Sequence, residues 1–177
     1  RVGGVGCVEG TAPRRWAAGG VAAAHRRGVI HRDLKPAHML VDEAGTVRLI
    51  DFGVARTDVA ERLSNTMTGQ MIGTLRYMSP EQRAGRTRDV DTRSDVYALG
   101  VVLAELVVGP RFKEIEPTMV ARTPTSDLLM DSRRGTRRRC RRDVDWIVGK
   151  ALSEDPDDRY TSVDAFRQDL LRAVAGE

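Results

Sequence analysis

Apolar and polar positions along the 177-residue chain fall into five legible segments. From Trp16 to Arg27 (WAAGGVAAAHRR) the alanines favour helix, with Gly19 and Gly20 as a weak spot and Gly28 as a stop signal. Two short β-rich runs, His38 to Asp42 and Thr46 to Ile50, are separated by Glu43-Ala44-Gly45 and predict a hairpin. After Ser94 the run DVYALGVVLAELVV is almost wholly apolar up to Gly109-Pro110, so it predicts a helix buried on all sides. Val144, Ile147, Val148, Ala151 and Leu152 form one stripe of an amphipathic helix with Asp143 as its cap. Val163, Phe166, Leu170 and Val174 form another, started by Thr161-x-x-Asp164. Between these segments, Val54 to Met78 is polar and without period, which predicts a long functional loop.

Composition narrows this picture only a little. The chain is 41% hydrophobic and 31% charged, enough apolar content for a core in one domain or one lobe of a larger one. The longest apolar stretch, Val96 to Val108, contains Glu105 and falls short of the roughly 20 residues a membrane span needs. Cys7 and Cys140 lie in no zinc or C-x-x-C spacing, so two reduced thiols and a cytoplasmic location are expected, with a membrane anchor elsewhere in a parent protein left open. Of 29 basic residues only Lys35, Lys113 and Lys150 are lysines, and the chain starts at Arg1, which suggests a piece of a longer polypeptide. Arg133 to Arg142 (RRGTRRRCRR) carries seven arginines in ten residues and predicts an exposed loop.

The chemistry sits in the middle of the chain. His31-Arg32-Asp33-Leu34-Lys35-Pro36-Ala37-His38 is followed thirteen residues later by Asp51-Phe52-Gly53, and Ser79-Pro80-Glu81 closes the long loop. In this order, with a hairpin between the first two motifs and an apolar helix after the third, the sequence resembles the protein kinases, whose corresponding motifs read H-R-D-x-K-P-x-N, D-F-G and A-P-E. The lysine two positions after Asp33 is similar to the serine/threonine-specific class, and the whole is similar to the eukaryotic-like kinases of bacteria. The resemblance implies an α+β, mostly α-helical fold: the C-terminal, large lobe over residues 16–177, with a small hairpin, an activation loop at 54–78 and an unassigned segment at 1–15.

That resemblance also implies roles. Asp33 would accept or orient the proton of an attacking Ser or Thr hydroxyl of a protein substrate, Lys35 would contact the γ-phosphate of ATP, and Asp51 would hold Mg²⁺. Phe52 would pack beneath the site, and Gly53 would free the backbone for its turn. Arg32 would pair with a phosphate on Ser64, Thr66 or Thr68, and Thr74 would lie against Asp33 and Lys35. Glu81 and Arg159 would form a buried ion pair, while Asp95 would brace the loop around Asp33. The plainer alternatives are an Asp capping the turn before Pro36, a solvated lysine and ordinary polar loop residues.

Two departures qualify the resemblance. His38 stands where the family places Asn, the ligand of the second Mg²⁺; as an imidazole it suits Zn²⁺ or Mn²⁺ better, or it is an ordinary hydrogen-bonding residue. Upstream, no lysine precedes Lys35, Glu9 occupies the third glycine position after Gly4 and Gly6, and about 36 residues would be needed for a five-stranded sheet and one helix. The expectation is therefore a truncated serine/threonine kinase, its N-terminal lobe absent and a partner elsewhere, with little activity alone. A pseudokinase or interaction module is the rival, supported by His38. An arginine-rich nucleic-acid binder is a weaker third, since no aromatic residue is interleaved with the arginines and acidic runs lie nearby.

Overall fold

The computed structural model describes residues 17–52, 75–123 and 138–175. Helix α1 spans Ala17–His25, and a β-hairpin follows, with β1 (Met39–Val41) antiparallel to β2 (Val47–Leu49) and Leu40 opposite Arg48. Helices α2 (Pro80–Arg83), α3 (Thr92–Val108), α4 (Pro117–Arg122), α5 (Arg138–Ala151) and α6 (Val163–Ala175) complete the order. The fold is mostly helical with one two-stranded sheet.

The end of α1 follows from Gly28, whose φ of 72° lies in the left-handed region that glycine adopts without a side-chain clash. There Gly28 N–H donates to the His25 carbonyl at 2.9 Å and Val29 N–H to the Ala24 carbonyl at 3.0 Å, the paired closure of a Schellman motif. Gly19 and Gly20 do not interrupt the helix. At Gly20 a side chain would come within 3.1 Å of Leu49 Cδ1, so the missing Cβ lets β2 pack against α1.

Helix α3 is the central element, and Val96 to Ala104 are all buried, as an apolar surface on every side requires. Its start lies earlier than the apolar run suggested: Asp91 is the cap, its carboxylate accepting from Arg93 N–H at 2.7 Å. Ile147, Val148 and Ala151 of α5, with Leu152 just after it, cover one side, and Val163, Phe166, Leu170 and Ala173 of α6 join the same core. The closest approach is at Gly100, where a Cβ would stand 2.7 Å from Ala151 Cβ.

Four expectations about the C-terminal half are corrected. Helix α5 begins at Arg138, so Arg138–Arg142 belong to a helix, not to a loop spanning 133–142, and Asp143 lies within that helix instead of capping it. Arginine is among the better helix formers. The start of α6 is capped by Ser162, whose hydroxyl accepts from Ala165 N–H at 3.1 Å, not by Thr161. Val174 is 43% exposed, and Ala173 takes the buried place at the end of that stripe. Among the described residues no helix is long and apolar enough to cross a membrane.

Candidate active site

The segment after α1 is held from below by one carboxylate. Asp95, in the first turn of α3, accepts from His31 N–H at 2.8 Å through Oδ2 and from Arg32 N–H at 2.9 Å through Oδ1. His25 Nε2 lies 2.7 Å from the same Oδ2. Arg32 has φ of 68°, an uncommon conformation for a residue with a side chain, and both its backbone polar groups are held: Gln82 Nε2 donates to its carbonyl at 2.7 Å.

His31 is fully buried and joins this segment to the hairpin. Its Nδ1 accepts from Asp33 N–H at 3.4 Å, and its Nε2 faces the Ile50 carbonyl at 3.1 Å, so Nε2 carries the hydrogen. The Phe52 ring lies against it, centroids 4.7 Å apart, with Phe52 itself 37% exposed.

Above this base the four candidate residues come together. Lys35 Nζ donates to Asp33 Oδ2 at 3.0 Å. Pro36 starts a single turn, Pro36–His38, that leads into β1 and brings His38 Nδ1 back to the Asp33 carbonyl at 2.9 Å. Across the hairpin, Ile50 N–H donates to the His38 carbonyl at 3.1 Å, which sets Asp51 beside His38. His38 Nε2 stands 3.7 Å from Asp51 Oδ2, and Asp51 has a left-handed φ of 61° and a side chain 57% exposed. The result is a cluster of two carboxylates, one ammonium and one imidazole, in which Asp33, Lys35 and His38 are largely shielded and Asp51 reaches solvent.

Residues farther out tie the loop segments to the core. Glu81 accepts two 2.8 Å hydrogen bonds from Arg159 and one of 2.6 Å from the Ser94 hydroxyl. Burial pushes the Glu81 carboxyl up, but the Arg159 guanidinium and Ser94 hydroxyl outweigh it and hold its pKa down to about 2. Tyr77 donates to Glu105 at 2.5 Å; burial and that carboxylate together raise its pKa. Arg76 donates to the carbonyls of Phe112, Lys113 and Ile115 and lies over the Phe112 ring at 4.9 Å. Gly53, Ser64, Thr66, Thr68 and Thr74 lie outside the described residues.

His25, Gln82 and Arg76 were not singled out from the sequence. The pattern Ser79-x-x-Gln82 is a capping-box spacing and could have flagged Gln82, whose Oε1 accepts from Ser79 N–H at 3.1 Å. Nothing local marks His25, whose partner is 70 residues away.

Mg²⁺ is typically held by one or two carboxylates together with substrate phosphates. Among the described residues no three His, Cys, Asp or Glu side chains converge as a self-sufficient metal site. Asp51, exposed and at the mouth, fits the single-carboxylate pattern; the imidazole of His38 is a poor match for so hard an ion.

Comparison with known proteins bears on this arrangement. The protein kinase domain family matches residues 16–171. Serine/threonine-protein kinase PknB of Mycobacterium leprae is 38% identical over 159 residues, covering 86% of this chain and 24% of its own length. PknB of Mycolicibacterium smegmatis is 41% identical over 155 residues, with the same shares covered. A probable serine/threonine-protein kinase of Streptomyces coelicolor is 38% identical over 159 residues, 86% of this chain and 22% of its own. The chain thus spans about a quarter of the length of the curated relatives it matches.

Proposed function

The chain belongs to the protein kinase domain family, and on that premise we propose that it is the large, helical lobe of a bacterial serine/threonine kinase that transfers the γ-phosphoryl group of ATP to Ser or Thr hydroxyls of proteins. The observation that carries this reading is that Lys35 pairs with Asp33 while His38, bonded to the Asp33 carbonyl, stands beside Asp51, although 18 positions separate Asp33 from Asp51.

In this reading the acceptor hydroxyl oxygen bonds to the γ-phosphorus while the bond from that phosphorus to the β–γ bridging oxygen breaks and ADP departs. Asp33 orients the hydroxyl and takes its proton. Lys35, 3.0 Å from Asp33, sets its positive charge against the γ-phosphoryl oxygens as negative charge shifts among them. Asp51 would hold the divalent ion, with His38 beside it; that ion supplies charge neutralisation on the nucleotide phosphates. Asp95, Gln82 and His31 position the loop and do not touch substrate.

The lobe assignment rests on the order hairpin, buried α3, α5 and α6, with no lysine before Lys35 to contact the α- and β-phosphates. The 177 residues alone are accordingly expected to turn over slowly. The long loop at 54–78 would act as activation loop, with Arg32 pairing a phosphate on Ser64, Thr66 or Thr68. A protein substrate, the small lobe of a kinase and a cytoplasmic setting are the partners and compartment this reading implies. A purely non-catalytic module has no use for Asp33, Lys35 and Asp51 together.

The test is phosphoryl transfer from labelled ATP to a Ser/Thr-rich protein, by the chain alone and by the chain joined behind the small lobe of the Streptomyces coelicolor relative. Slow transfer alone, ordinary transfer when joined, and a loss of at least a hundredfold in Asp33→Asn are expected. Equal turnover by Asp33→Asn and the parent would overturn the reading.

A further inference from the structure

Helix α5 turns Val144, Ile147, Val148 and Ala151 towards the core, and its opposite side faces out. Along that side Arg142, Trp146 and Lys150 follow one another at four-residue intervals, and Arg139 holds the position a turn earlier. Trp146 is 56% exposed, although tryptophan is on average a well-buried residue. Its ring stands nearly perpendicular to that of Tyr160, with centroids 6.2 Å apart. The Lys150 ammonium lies 4.9 Å from the Trp146 centroid and 4.6 Å from the Tyr160 centroid. Two rings thus fix this lysine without neutralising it. Among the described residues no carboxylate pairs with Arg142 or Lys150, and the nearest acidic positions of the helix, Asp143 and Asp145, lie to either side of their line.

The spacing of this line selects the shape of what can bind it. Four residues of helix rise about 6 Å. In an extended chain alternate side chains point the same way and lie about 6.6 Å apart. A strand-like segment laid along α5 therefore sets alternate side chains opposite Arg142, Trp146 and Lys150, whichever way it runs.

We propose that this face of α5 binds an extended acidic segment of a partner protein with the pattern acidic-x-apolar-x-acidic. The two carboxylates meet Arg142 and Lys150, and the apolar side chain lies on Trp146. Tryptophan and arginine are the residue types that most often anchor protein interfaces, and the opposed charges fix the register. An anionic lipid surface suits this face less, because the other apolar residues of α5 face the core and only one ring is left to enter a bilayer. A single-stranded nucleic acid stacks successive bases on successive rings, and Tyr160, 3% exposed, offers no second platform.

The probe is the peptide Gly-Glu-Ser-Phe-Ser-Glu-Gly, mixed with the full chain at low salt. The chain has two tryptophans, so its ¹H–¹⁵N spectrum carries two indole N–H resonances, and that of Trp146 is assigned by its loss in Trp146→Phe. Addition of the peptide to the parent chain should move that resonance. With the peptide fluorescein-labelled, polarisation should show binding at least tenfold weaker in Arg142→Glu, and equally weakened when both peptide glutamates are glutamine or are placed side by side. Arg142 is exposed, and circular dichroism checks that its variant is folded. An unmoved Trp146 resonance, an unchanged affinity in Arg142→Glu, or equal binding of either altered peptide overturns the inference. Tighter binding of oligothymidylate or of phosphatidylglycerol vesicles than of the peptide overturns it as well. The spectrum of the parent chain needs no variant beyond the assignment, so a folding defect cannot mask the outcome, and none of these results touches the proposed phosphoryl transfer.

Discussion

The carboxylate of Glu81 and the guanidinium of Arg159, 78 residues apart, meet through two parallel 2.8 Å hydrogen bonds in a region closed to solvent. This pair fastens the end of the long loop to the turn before α6. Replacing Arg159 by Met leaves a buried carboxylate without its countercharge and should cost about 3–5 kcal/mol, read as a drop in the urea midpoint.

Acid should weaken the same attachment. The folded pKa of Glu81, about 2, lies below the ordinary value of 4.5, so its stabilisation is fully present above 4.5 and is lost as pH falls towards 2. Urea unfolding followed across that window should show falling stability, and Glu81→Gln should flatten the dependence relative to the parent. An equally steep curve in the variant would show that other carboxylates govern acid unfolding.

Asp95→Ala removes the acceptor for two buried backbone N–H groups, each costing about 1–3 kcal/mol when unpaired. Hydrogen exchange resolved by peptide should therefore accelerate over residues 29–35 in the variant, more than in α6. Protection unchanged at His31 and Arg32 would mean that the loop holds its shape without α3.

Gly100→Ala places a methyl group 2.7 Å from Ala151 Cβ and 3.2 Å from Leu152 Cδ2. Although alanine is the better helix former, the overpacking should dominate, with a net loss of about 1–3 kcal/mol by thermal unfolding. Adding Ala151→Gly should recover part of that loss, since the clash lies between these two positions.

Arg76→Ala releases three carbonyls in the turn after α3 at once. Limited proteolysis should then cut the segment 109–116 faster, while the urea midpoint falls by no more than about 1–3 kcal/mol in equivalent free energy. If cleavage rates match the parent, the turn is held by Phe112 and its hydrophobic neighbours, and Arg76 is incidental.

Legibility from sequence varied with how local each cause was. The hairpin, the buried α3 and the stripe Ile147, Val148, Ala151, Leu152 are set by patterns within one segment, and all three were readable. The pairing of Glu81 with Arg159 and of Asp95 with the His31–Arg32 backbone came only through family resemblance, because no local pattern links residues that far apart. Helix α5 was read too short because an arginine run signals loop by its charge and helix by its propensity, and here propensity prevailed. Ser162 and Thr161 are both capable caps; the packing of Val163 into the core decided between them. In the site, Asp33, Lys35, Asp51 and His38 were named by motif. The orientation of the His38 ring was not, since it depends on a carbonyl presented by the turn at Pro36.

The three bonds to Asp95 tie one segment of the chain to another far along it. The carboxylate that shapes the Arg32 backbone grows from the most buried helix, 63 residues further along the chain. The backbone conformation of Arg32 is thus tied to a helix distant in sequence and not to its chain neighbours alone. A substitution in α3 that displaces Asp95 is therefore expected to disturb a segment far from it in sequence, and the disturbance is read at residues 29–35.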